Sequence, residues 1–217
     1  MGNPKISNLS YQTHFCLRHG VSIELAYNNH CFACGKNISN VPNHELGCVR
    51  GYGNEINARH NLIRNTIASA MTKIGGYARC EPNPFNDTSK RPDIEWLIEG
   101  RRIFLDISVT HPLGSSIVAK AAHKQLAAAK ERETTKNNKY APLCKNINAE
   151  FIPLVLESFG GYGAEFNLFI KDMRAISQNT LTLTDGENII NDMLDQIAFH
   201  IIHLNGIIMK LASSQGE

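Results

Sequence analysis

What this chain of 217 residues lacks narrows its class first. It has no run of about 18 apolar residues, so no membrane span is expected. Its most apolar run, "IAFHIIHLNGIIM" over residues 197 to 209, is too short and carries two histidines and an asparagine. No apolar N-terminal stretch marks an export signal. Without one, the six cysteines are expected as reduced thiols or metal ligands, not as a disulfide framework. There is no internal repeat and no low-complexity segment. Acid is scarce in one place. Residues 101 to 146 hold nine Lys+Arg against three Asp+Glu, whereas residues 147 to 217 hold three against nine. A basic middle suits a polyanion, although a solvated lysine face explains most single charge runs.

What is present is ordinary globular composition, 42% hydrophobic and 19% charged, enough for a sizeable core. Residues 11 to 27 read as a short helix. Residues 28 to 57 are rich in Asn, Gly, Cys and His and too poor in apolar residues to build their own core. A helix is expected from Asn57, as N-cap, to Gly75-Gly76, with Ile63, Ile67, Ala70, Met71 and Ile74 on one face. After a loop over residues 80 to 92 come two strands, near 93 to 98 and 102 to 110. An Ala- and Lys-rich helix follows, from about Ser116 into the 130s. "FIPLVLESF" (151 to 159) reads as a strand with Pro153 near its start or on an edge. "NLFIKDM" (167 to 173) reads as a strand or a helix start. Residues 187 to 212 form a long amphipathic helix. The expected fold is α/β, a mixed central sheet flanked by helices, with a small appendage. The division is 1 to 57 for the N-terminal helix and a metal knuckle, and 58 to 217 for the main domain.

The appendage carries Cys31, Cys34, His44 and Cys48 in a Cys-x2-Cys-x9-His-x3-Cys pattern. Two thiolates on a Cys-x2-Cys turn, joined by an imidazole and a third thiolate, fill a zinc tetrahedron. A glycine after the second Cys helps that turn. With four protein ligands no position is left for water, so a structural Zn2+ is expected. Cys16, Cys80 and Cys144 are left over and read as small apolar side chains.

The stretch "RPDIEWLIEGRRIFLDISVTHP" (91 to 112) places Asp93 before one strand and Asp106 inside the apolar part of the next. A buried carboxylate costs several kcal/mol unless it is paired. If the turn is Glu99-Gly100, facing residues sum to 199 and Asp93 lies opposite Asp106. Shifting the turn by one residue leaves the two diagonal on the same face. Ile94, Trp96, Ile98, Ile103, Leu105, Ile107 and Val109 then make the core face. On spacing alone, a cation site and an exposed plus a satisfied core aspartate are equal alternatives.

"RPD" followed after twelve residues by "D" in an apolar strand is similar to the PD-(D/E)xK nuclease core. Its neighbours come in a fixed order: the Cys-Cys-His-Cys cluster, "RHN" (59 to 61), "RPD", "LDISVTHP", "KNNKY" (136 to 140) and "FIPLVLESFGGYG" (151 to 163). The series resembles the restriction-like endonuclease domain at the C-terminus of site-specifically inserting non-LTR retrotransposon proteins. It covers roughly residues 15 to 165, and the helices beyond lie outside it. The resemblance implies a restriction-endonuclease-like fold and Mg2+-dependent nicking of DNA, with Mn2+ able to substitute. The 3′ hydroxyl so made would prime reverse transcription in the nucleus. It further implies DNA as partner, with retroelement RNA as a second one and no membrane.

By the same resemblance, Asp93, Asp106 and the Ile107 carbonyl hold the magnesium. The lysine that such motifs place two residues after the second acid is replaced here by Ser108. The "KNNKY" match favours Lys136, then Lys139, with Tyr140 nearby. Thr134-Thr135 and Asn137-Asn138 are poor helix formers. If the helix breaks before Lys136, Lys124 is the better candidate. Arg59, His60 and Arg64, on or near the exposed side of their helix, are candidate phosphate contacts. So are Lys120 and Lys130 in the basic helix. Glu157 is a weaker candidate near the metal, and His111 reads as a strand-end histidine. The competing reading is a non-catalytic, zinc-containing DNA-binding module of a larger retroelement protein. A structural or interaction domain is the third.

Overall fold

The computed structural model describes residues 5–19, 30–39, 41, 43–85 and 90–214. Helix α1 (Asn8–His19) comes first, followed by the cysteine cluster and a 3-10 turn (His44–Gly47). The part of the expected first helix beyond residue 19 lies outside the described residues. Helix α2 (Val49–Lys73) starts eight residues earlier than expected. Asn57 is therefore not its N-cap. Cys48 holds that position, and a kink at Tyr52 joins the extra turn to the rest. The helix stops where expected, at Gly75, whose φ is 102°.

Four strands follow the order β1 (Tyr77–Cys80), β2 (Ile94–Ile98), β3 (Arg101–Thr110), β4 (Glu150–Glu157). β1, β2 and β3 are antiparallel, and β4 joins β3 in parallel, so the sheet is mixed. β4 is an edge strand, which lets it carry Pro153 without losing a ladder bond. β1 was not expected. The β2–β3 turn is Glu99-Gly100 with φ of 48° and 76°, the two left-handed residues of a tight hairpin. Ile94 accordingly faces Leu105 and Ile98 faces Arg101.

The two faces of the sheet divide as the period-two pattern dictates. Ile94, Trp96, Ile98, Ile103, Leu105 and Ile107 join Leu154 and Leu156 in one core with α2, α5 (Ala164–Thr180) and α6 (Leu183–Ser214). "NLFIKDM" thus belongs to a helix, α5. On the opposite face Phe104 packs with Phe85, Tyr140 and Cys144 under α4 (Ala127–Asn146). By length and composition alone α6 could cross a membrane. Its buried stripe Ile190, Met193, Ile197 and Ile201 is part of the sheet core, and Asn205 is buried on the same helix.

The basic helix is broken. A four-residue α3 (Val118–Ala121) is separated from α4 by a turn in which Leu126 adopts a left-handed φ of 56°. The expected weak point before Lys136 holds instead. There the Thr134 and Thr135 hydroxyls donate to the Lys130 and Glu131 carbonyls one turn back. The expected boundary after residue 57 falls inside α2. Leu17, Cys31, Cys48 and Tyr52 share a second core with Ile208, Met209 and Ala212 at the far end of α6.

Candidate active site and metal centre

Asp106 is carried by the central part of β3 and is 3% exposed. Asp93 stands one residue before β2. Its N–H donates to the carbonyl of Leu105, the residue already facing Ile94, at 2.8 Å. Its own carbonyl accepts from Glu81 N–H at 2.8 Å on the other side. Asp93 therefore lies outside the β2–β3 ladder, in a bend that bonds to both neighbouring strands, and the register does not set it squarely across from Asp106. The Asp93 carboxylate accepts Ile107 N–H at 2.6 Å on Oδ2, and His60 Nε2 lies 3.1 Å from Oδ1. Within a regular strand such as β3 a residue's N–H and C=O point to the same side. The Ile107 carbonyl therefore faces the side on which Asp93 lies.

Helix α4 closes the site from the other direction. Its cleft side presents Arg132, Lys136 and Tyr140, four residues apart and hence one above another. Lys136 Nζ is 2.5 Å from Asp106 Oδ2, and both side chains are largely shielded. Arg132 Nε lies 3.4 Å from Ser108 Oγ, which is itself 3.4 Å from Asp106 Oδ2. Tyr140 fixes the helix by packing on Phe151 at 5.1 Å. Its hydroxyl donates to the Arg91 carbonyl at 3.0 Å and accepts from Lys139 Nζ at 2.8 Å. These residues line a cleft of about 360 Å3. Burial pushes the Asp106 carboxyl above the usual range, the charge of Asp93 adds to this, and Lys136 partly offsets both. Burial, then the Asp106 and Asp93 carboxylates, raise the Tyr140 phenol.

The remaining candidates divide by position. Lys139 reaches the rim through Tyr140. Lys124 falls in the turn between α3 and α4, exposed and outside the cleft lining. Lys120 is exposed and lies 3.6 Å from Glu131. Lys130 lines a different hollow with Glu133 and Glu165. It is two residues from Arg132, about 200° around the helix. His60 is in the cleft, but Arg59 and Arg64 are not on an exposed helix side. Arg59 is 2% exposed and bonds the Leu46 carbonyl at 3.1 Å and the Asn205 side chain. Burial lowers its guanidinium to about 10. Arg64 is paired with Glu81. Glu157 is outside the cleft lining: it accepts Ala129 N–H at 3.2 Å and so caps the first turn of α4. His111 Nδ1 lies 2.8 Å from Ser158 Oγ. Sequence reasoning did not name Arg91 and Arg132. Arg132 stands one helical turn before Lys136, a spacing that would have marked it.

The second centre is the cysteine cluster. The ligand atoms of Cys31, Cys34, His44 and Cys48 all lie within 4.8 Å of one another. Cys31 Sγ is 3.8 Å from Cys48 Sγ, and Cys34 Sγ is 3.2 Å from His44 Nε2. With zinc bonds of about 2.3 Å to sulfur and about 2.0 Å to nitrogen, tetrahedral edges are roughly 3.8 and 3.5 Å. The donor set fits a structural zinc in type, number and spacing. Gly35, with φ 69°, makes the tight return that lets its N–H donate to the Cys31 carbonyl at 2.8 Å. Burial pushes the Cys48 thiol up to about 11, and the neighbouring Cys34 and Cys31 thiols add to the rise. Among known proteins, no family model matches this chain and no curated protein is similar to it.

Proposed function

We propose that the chain is a metal-dependent DNA endonuclease that nicks a target strand, in the manner of the restriction-like domains it resembles. The observation that carries the reading is the meeting of Asp93, Asp106 and Lys136, from three separate segments, in one cleft. Two carboxylates and a strand carbonyl are the hard oxygen donors that Mg2+ prefers. Bound there, a divalent ion would polarise a phosphodiester and lower the pKa of a water. Asp93 is held in place by Ile107 N–H and His60, so its carboxylate is oriented in advance. Asp106, whose carboxyl is pushed above the usual range by burial and by Asp93, would have that charge repulsion offset by a bound cation. Lys136 supplies the positive charge for a phosphate oxygen once Asp106 is otherwise engaged. Priming of reverse transcription from the nick, with retroelement RNA as a second partner, belongs to the same reading.

One observation favours a non-catalytic DNA-binding module. Each carboxylate already has protein partners, Asp106 in Lys136 and Asp93 in Ile107 N–H and His60. Supercoiled plasmid separates the two. With Mg2+ the chain should nick it, and EDTA should stop the reaction. Asp106→Ala should lose nicking by at least a hundredfold while binding DNA as before, since a lost negative charge cannot weaken attraction to phosphate. Binding without nicking by the wild-type protein would favour the module.

A further inference from the structure

The cleft holds more positive charge than its chemistry requires. Arg91, Arg132 and Lys136 line it together with Asp93 and Asp106, so three cations stand against two acids even with both acids ionised. Arg91 and Arg132 are exposed, and neither forms an ion pair with a carboxylate among the described residues. Resting on the DNA reading above, we propose that Arg91 and Arg132 are a backbone clamp that grips the phosphates on either side of the reacting one. Tyr140 ties the Arg91 backbone to its own level of α4. Arg132 stands two turns earlier, about 12 Å along the axis at 1.5 Å per residue. At about 3.4 Å of duplex axis per phosphate on one strand, that distance spans roughly three to four phosphate steps, enough to bracket the reacting phosphate. Arg132 also lines a second polar hollow of about 190 Å3 with His111, Ser116 and Thr135. The groove therefore continues past the cleft along α4. Lys130 lies outside it, in a different hollow, whereas Lys120 is paired at 3.6 Å with Glu131, which also lines the second hollow.

The test is binding of a short labelled DNA duplex in EDTA, by fluorescence anisotropy, at salt from about 50 to 200 mM. A cation that neutralises one phosphate contributes about 0.9 to the slope of log affinity against log salt. Arg91→Ala and Arg132→Ala should each lower that slope by this amount. Over the fourfold salt range each variant then loses roughly 3.5-fold less affinity than the wild type. Arg132→Lys should keep most of the slope, and Lys130→Ala all of it. Both arginines are exposed, so wild-type melting temperatures are expected and check that the fold is intact. Unchanged slopes in both alanine variants, or an equal loss in Lys130→Ala, would overturn the clamp. Nicking that needs Mg2+ and Asp106, with unchanged slopes, would remove the clamp and leave the nuclease. Slope losses without nicking would leave the clamp and remove the nuclease.

Discussion

Asp106 is held in the folded chain with a proton affinity above that of an ordinary aspartate, first by burial and then by Asp93, with Lys136 acting the other way. A folded pKa above the unfolded one has a definite sign. The stability it contributes is complete below the unfolded value, near 3.9. It is lost as pH rises through the folded value. Asp106→Asn removes that loss. Melts in EDTA from about pH 4 to 8 should show the wild type losing stability relative to the variant as pH rises. Parallel profiles would mean that Lys136 fully compensates the charge. The aspartate could be read from the sequence, because a carboxylate in an apolar strand stands out. The choice of lysine could not. Spacing left Lys124, Lys136 and Lys139 open, and only the resemblance ranked them. Arg59 was misread because its partner Asn205 lies 146 residues away. No local pattern distinguishes an inward guanidinium from an outward one.

Elements with regular alternation and a forced turn were legible. β2, β3 and their Glu99-Gly100 turn follow from period two and from the residue types that tolerate positive φ. β1 was not, since its four residues are mostly exposed and carry no alternation. The break before α4 was also hidden, because an alanine- and lysine-rich segment has high helix propensity and nothing marks Leu126 as left-handed. The break has a consequence: α4 gains a buried N-terminus that needs an acceptor. Glu157 supplies one to Ala129 N–H. Glu157→Ala should therefore cost about 1 kcal/mol, as capping losses do, equally with and without Mg2+. Glu157→Gln, which keeps a carbonyl oxygen, should recover most of it. Urea unfolding gives the free energies, and nicking well below the melting temperature should be unchanged. A selective loss of nicking in Glu157→Gln would make the carboxylate part of the reaction after all.

At the scale of the whole molecule, residues 28 to 57 are short of apolar side chains, and no local pattern in the sequence shows where the missing core comes from. It comes from both ends of the chain. Leu17 of α1 and Ile208, Met209 and Ala212 of α6 close over Cys31, Cys48 and Tyr52. The main core is separate and lies between the sheet and α2, α5 and α6. Two helices, α2 and α6, run through both. Metal loss should then act regionally. Elemental analysis should give about one zinc per chain, since the described residues hold one four-ligand cluster. Stripping it with a chelator leaves close-packed thiols to be protonated or parted, and removes the binding free energy that folds the segment. Hydrogen exchange should rise in residues 30–48, in α1 and in the last turns of α6, while β2 and β3 keep their protection. Arg59 would relay part of the disturbance toward the cleft, because it bonds the Leu46 carbonyl inside the metal-binding segment and also lines the cleft. DNA affinity should therefore fall modestly in the stripped protein. Exchange unchanged everywhere would exclude a structural metal. Simultaneous loss of protection in β2 and β3 would show that the two cores unfold as one unit.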